Sequence, residues 1–118
     1  MKALSIQQPW AWCVAHGHKR IENRSWPTKF RGEFLIHAGQ RADYSDIDFI
    51  AKLVAPTAMP VTYEKGGIIG IATIVDCVTD SADPWFFGKY GFVLENARPL
   101  PFMPVRGALG FFEVDYKA

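Results

Sequence analysis

The sequence predicts a single α+β domain with a mixed or mostly antiparallel sheet, and three observations lead there. The chain has 118 residues, the size of one domain, and 49% of them are hydrophobic, too many for a disordered chain. Short segments of alternating apolar residues are interspersed with two stretches of helical periodicity. The order is strand, helix, two extended segments, helix, then three strands, rather than a regular strand-helix alternation. Periodicity alone leaves open whether the sheet is flat or closed into a barrel.

Taken in order, Lys2–Ile6 alternates and reads as a strand. Pro9 begins a helix to His16, because proline in the first turn lacks only an N–H that would be unpaired there anyway. Trp10, Cys13 and Val14 share one side of that helix, and Gly17 is its stop signal. Lys19–Trp26 is polar and without helical period, hence extended, and Pro27 biases Trp26 the same way. Arg31-Gly32 is a turn and Glu33–Ala38 a strand. Ile47, Ile50, Ala51 and Val54 form the stripe of a second helix over Asp43–Ala55, with Asp43 or Ser45 as its N-cap. Pro56 and Pro60 end it. Gly67–Val78 is apolar on both faces and should be a central strand. Asp80–Lys89 is a loop or short helix. Tyr90–Ala97 is a strand interrupted afterwards by Pro99, Pro101 and Pro104, and Leu109–Tyr116 closes the sheet.

Several function classes are excluded or disfavoured. Two cysteines, Cys13 and Cys77, are too few for a disulfide framework and read as small buried thiols of a reducing compartment. No stretch approaches the ~20 apolar residues that span a membrane, and Met1–Ile6 is too short an apolar run for a signal peptide, so the expected location is the cytoplasm. His16, His18 and His37 lack the spacing of a metal site. Gly66-Gly67 and Gly70 lack the Lys-Ser/Thr of a triphosphate loop. Neither a metal nor a cofactor is expected.

Charge is distributed unevenly. Net charge is +1, but residues 1–41 carry +5 and residues 42–118 carry −4. That asymmetry suggests a surface for an anionic partner, too small for a strong non-specific nucleic-acid binder. The segment Gln7–Ala38 concentrates the polar chemistry. Lys19 and Glu22 offer a cation and a carboxylate that could bind a ligand, or hydrolyse it through an activated water and a stabilised oxyanion. They could equally form a structural ion pair, and three residues apart on a regular strand they would need a turn or bulge to meet. Arg24 and Arg31, with Lys29, present guanidinium forks and a cation suited to phosphate. Trp26 is the favoured stacking platform, whereas Trp10, on a helix face with Val14, reads as core. Gln8 could read a base edge or cap the first helix. Thr28 is the hydroxyl nearest the basic cluster. Trp85-Phe86-Phe87 is an aromatic loop that could be a lid, a plug or a docking point for a protein partner.

The pieces Leu4-Ser5-Ile6 leading into Gln8-Pro9-Trp10-Ala11, Gly17-x-Lys19-x-x-Glu22-x-Arg24-x-Trp26, Arg31-Gly32 and Ile36-His37-Ala38, in this order, resemble the ASCH domain family of the PUA-like superfamily. The resemblance implies one ASCH-like domain over residues 1–118, folded as a small PUA-like β-barrel with two main helices. It also implies binding of single-stranded RNA or of a modified nucleoside or nucleotide, through Gln8, Arg24, Trp26, Thr28 and Arg31. Some small members hydrolyse N4-acylated cytidines and others are proposed to cleave RNA. The alternative reading is therefore an amidohydrolase or ribonuclease using Lys19 and Glu22, although Glu22 stands where the small hydrolases carry threonine.

Overall fold

The computed structural model describes residues 1–117. Six strands and two helices follow in the order β1 (Lys2–Gln8), α1 (Trp10–Ala15), β2 (Ile21–Arg24), β3 (Gly32–Ala42), α2 (Ile47–Leu53), β4 (Gly67–Val78), β5 (Tyr90–Pro104) and β6 (Phe111–Glu113), with a 3₁₀ turn at Pro56–Ala58. All six strands form one sheet in the order β2-β5-β4-β3-β1-β6. β1 and β3 run parallel, Leu4 opposite Ile36, and every other pair is antiparallel. This is the mixed sheet expected, with the apolar strand β4 at its centre.

The sheet does not close into a barrel. β2, four residues long, and β6, three, are its two edges and do not pair with each other across the gap. β6 covers only Lys2–Leu4 of β1, so from Ser5 onward β1 also faces the gap. Side chains bridge it instead: the Arg24 guanidinium donates to the Ser5 carbonyl at 2.8 Å, and Trp26 meets Phe111 edge-on with centroids 5.7 Å apart.

The other departures have local causes. β5 continues past Ala97 through all three prolines. β2 pairs only with Tyr90–Val93, so beyond that point β5 has a free edge on which the missing proline N–H is harmless. Asn96, at φ 54°, marks the bulge where the register against β4 shifts. The second helix begins at Ile47 rather than Asp43, because the Asp43 carboxylate accepts from the Ser45 N–H in a turn before it. β6 is shorter than Leu109–Tyr116, and Leu109 is fully out in solvent.

The main core lies between α1 and the sheet, where Leu4, Ile6, Val14, Phe34, Ile36, Ile74 and Phe92 are buried. Close approach of α1 requires Gly70: a Cβ there would stand 2.9 Å from the Ala15 Cβ and 2.8 Å from the Arg98 carbonyl. A second cluster, Cys13, Ile21, Ile50, Val54 and Trp85, binds both helices and the aromatic loop together. His37 is buried by use rather than by chemistry. Its Nε2 donates to the Val105 carbonyl at 2.7 Å and its Nδ1 bonds the Ser5 hydroxyl at 3.0 Å, tying β1 and β3 to the segment after β5.

A cleft in the gap of the sheet

A cleft of about 830 Å³ opens where β1 and β2 fail to meet, lined by Ser5, Ile6, Gln7 and Trp10, by Lys19, Glu22, Asn23 and Arg24, and by Asp46, Phe49 and Phe87. Its floor is a chain of charges. The Lys19 ammonium contacts Glu22 Oε1 at 3.1 Å, and Arg24 contacts Glu22 Oε2 through Nε at 3.1 Å and Nη2 at 3.0 Å. Lys19 and Glu22 are only 4% and 6% exposed.

The end of α1 brings Lys19 to this position. The Gly17 N–H bonds the Val14 carbonyl and the His18 N–H bonds the Cys13 carbonyl, the paired bonds of a Schellman stop, with Gly17 at φ 76°. The chain leaves this turn irregular up to Arg20. Lys19 therefore precedes β2, and its side chain folds forward onto the Ile21 carbonyl and Glu22. The turn that the three-residue spacing demanded is the helix stop itself. Glu22 and Arg24, two apart on β2, share a face.

Other sequence-predicted site residues lie elsewhere. Gln8 is buried with its amide committed internally: Oε1 accepts from the Trp12 N–H at 2.9 Å and Nε2 donates to the Glu64 carbonyl at 2.8 Å. Of its two readings, the helix cap is the one realised. Trp26 is not among the residues lining the cleft; it packs edge-on against Phe92 and Phe111, with the Arg24 guanidinium 6.0 Å from its ring. Thr28 Oγ1 accepts from the Phe30 N–H, and Arg31 is bonded to the Thr28 and Phe30 carbonyls. Both belong to the loop before β3 and not to the cleft. Trp10, read as core, packs against both clusters and also lines the cleft, with its ring 5.9 Å from the Lys19 ammonium.

The aromatic loop divides into separate roles. Trp85 is 4% exposed and wedged edge-on against Trp10 and Phe49, the placement of a plug. Phe86 is half-buried. Phe87 is 54% exposed and lines the cleft. Asn23, absent from the sequence-based candidates, donates to the Trp85 carbonyl and accepts from the Phe87 N–H, both at 2.8 Å. Nothing local in the sequence announces these contacts, which join residues more than sixty apart.

Among the described residues, no group of three or more His, Cys, Asp or Glu is placed to hold a metal, and no helix is long and apolar enough to cross a membrane. Burial pushes the Cys13 thiol up to about 11, against an opposing pull from Lys19. A native-state thiol titration near pH 8 should therefore show Cys77, which is partly exposed, reacting first and Cys13 only after unfolding. Because the raised value favours the protonated thiol in the folded state, its contribution to stability is full below pH ~9 and is lost as pH rises toward the folded value. Equal reactivity of the two thiols would contradict this placement.

The ASCH domain family model matches residues 4–99. Activating signal cointegrator 1 of Mus musculus is 34% identical over 129 residues, covering 97% of this chain, and that of Homo sapiens is 32% identical over the same share. The chain spans 22% of the length of these curated relatives. The crystal structure of a mutant of the ZmASCH protein from Zymomonas mobilis superimposes with a TM-score of 0.52 at 14% identity, covering 88% of this chain and 75% of that one. That likeness shows that the two chains share a fold. With the matched family model spanning β1 through most of β5, including every charged residue of the cleft floor, the chain belongs to the ASCH domain family.

Proposed function

We propose that the protein binds single-stranded RNA, or a modified nucleoside or nucleotide, in the cleft between β1 and β2. The observation that carries this reading is the buried Lys19–Glu22–Arg24 chain beneath aromatic walls. Two cations share one carboxylate, leaving one net positive charge for a phosphate or base carbonyl, while Glu22 can accept from an exocyclic amine. Trp10 and Phe87 supply faces on which a base can stack. Family membership supports the same ligand class.

The test is fluorescence anisotropy of a labelled single-stranded RNA at several salt concentrations. So small a charged floor should give a shallow dependence, with log affinity falling by about 0.7–1.4 per tenfold rise in salt, one to two phosphate contacts. Lys19→Ala combined with Arg24→Ala should weaken binding at least about tenfold, or by about 1.4 kcal/mol, in protein whose circular dichroism is unchanged. Unchanged affinity in that folded variant would sink the reading.

The hydrolytic reading has the direct Lys19–Glu22 contact in its favour. Oε2 takes both Arg24 contacts, so Oε1, which accepts from Lys19 alone, is the oxygen left to activate water. A Glu22→Gln variant with full turnover of N4-acetylcytidine or RNA would remove that mechanism.

A further inference from the structure

Phe87 presents an unusual combination: its side chain is left 54% exposed, while its backbone N–H and the Trp85 carbonyl are both bonded by the Asn23 amide. Asn23 lies between Glu22 and Arg24 on β2, so one four-residue strand carries two residues of the charged floor on one face and grips the aromatic loop from the other. Its amide donates to the Trp85 carbonyl and accepts from the Phe87 N–H. The residues beside Phe87 are seated in the protein. The Trp85 ring is buried against Trp10 and Phe49, and Phe86 lies so close on Gly91 that a Cβ there would come within 2.8 Å of its ring. Phe87 alone is turned to the cleft, edge-on to Phe49 at 5.6 Å. The backbone that carries this half-exposed ring is fixed while one face of the ring is left free on the cleft, the arrangement of a cap over a planar ligand.

We infer that Asn23 is a positioning residue that holds Phe87 over the cleft as an aromatic cap, against which a planar ring of the ligand stacks. The inference rests on the cleft being a nucleoside- or RNA-binding site, and it names the pair that sets how a ring is received there. Phe87 contributes the stacking face. Asn23 contributes by removing the freedom of the loop, so that the face is in place before the ligand arrives.

The experiment is a double-mutant cycle on Asn23→Ala and Phe87→Ala, read by anisotropy with a fluorescein-labelled 12-nucleotide single-stranded RNA and by competition with cytidine. Each single change should weaken binding about 10-fold, the order of one stacked base. The double variant should lose about 10-fold and not about 100-fold, because Asn23 acts through Phe87. Phe87→Tyr should retain affinity. Hydrogen exchange of the Phe87 amide supplies a readout independent of any ligand: protected in the native protein, released in Asn23→Ala. Full affinity in Phe87→Ala, multiplicative losses in the double variant, or an unprotected Phe87 amide in the native protein would each overturn the inference. Should Asn23→Ala fail to fold, Phe87→Ala still decides, since it removes a half-exposed ring. Should the native protein bind neither RNA nor cytidine, the functional reading fails, and amide exchange still decides whether Asn23 holds the loop.

Discussion

Replacing Glu22 with leucine is expected to lower the stability of the protein by about 3–5 kcal/mol, the cost of removing one partner from a buried ionic group. Glu22 is 6% exposed, and both of its oxygens are bonded to cations. Without it Lys19, 4% exposed, keeps its bond to the Ile21 carbonyl but loses its counter-charge, and Arg24 retains only the Ser5 carbonyl. For a domain of this size the loss corresponds to a fall in Tm of roughly 10–20 °C. The double variant Lys19→Met, Glu22→Leu should recover part of it, because the uncompensated ammonium is gone. Thermal unfolding by circular dichroism reads both. A single-variant shift below about 3 °C would show that the ion chain contributes little to the fold and leave it as purely ligand-facing.

Phe92→Ala is expected to cost about 3–5 kcal/mol through the cavity it leaves. Phe92 is fully buried. Its ring meets Trp26 edge-on at 5.3 Å and lies parallel to Phe111 at 6.3 Å. These three rings come from β5, from the segment after β2 and from β6, and they fill the space where the curled sheet stops short of closing. The change should therefore lower the denaturant midpoint and red-shift the emission of Trp26, with Phe92→Leu less affected. A midpoint unchanged within error would mean that the curl is held by the strand ladders alone.

These two positions show where the sequence was informative. Glu22 stood out because a carboxylate between Lys19 and Arg24, in an extended polar segment, is chemically conspicuous wherever the chain goes. Phe92 was one apolar residue of a strand, and nothing local distinguishes a ring that spans the gap from one packed beside its neighbour. The same contrast holds for the two tryptophans. Trp10 sits on an amphipathic helix and Trp26 among charges, so local pattern assigned core to the first and ligand to the second. In the structure Trp10 packs against the core and also lines the cleft, while Trp26 packs on Phe92 and Phe111 beside the Arg24 guanidinium.

By itself the sequence determined the element order, the central strand Gly67–Val78, a sheet that is mixed or mostly antiparallel, and the chemical character of the Lys19–Arg24 segment. Each of these depends on residues near one another in the chain, where periodicity, proline and glycine act directly. Only the tertiary structure decided that the sheet stays open between β1 and β2, that this opening is the cleft, that Gln8, Thr28 and Arg31 are committed elsewhere, and that Asn23 reaches the loop carrying Phe87. Those outcomes depend on strand lengths relative to the curl of the sheet and on contacts across sixty residues or more, which local propensity does not encode.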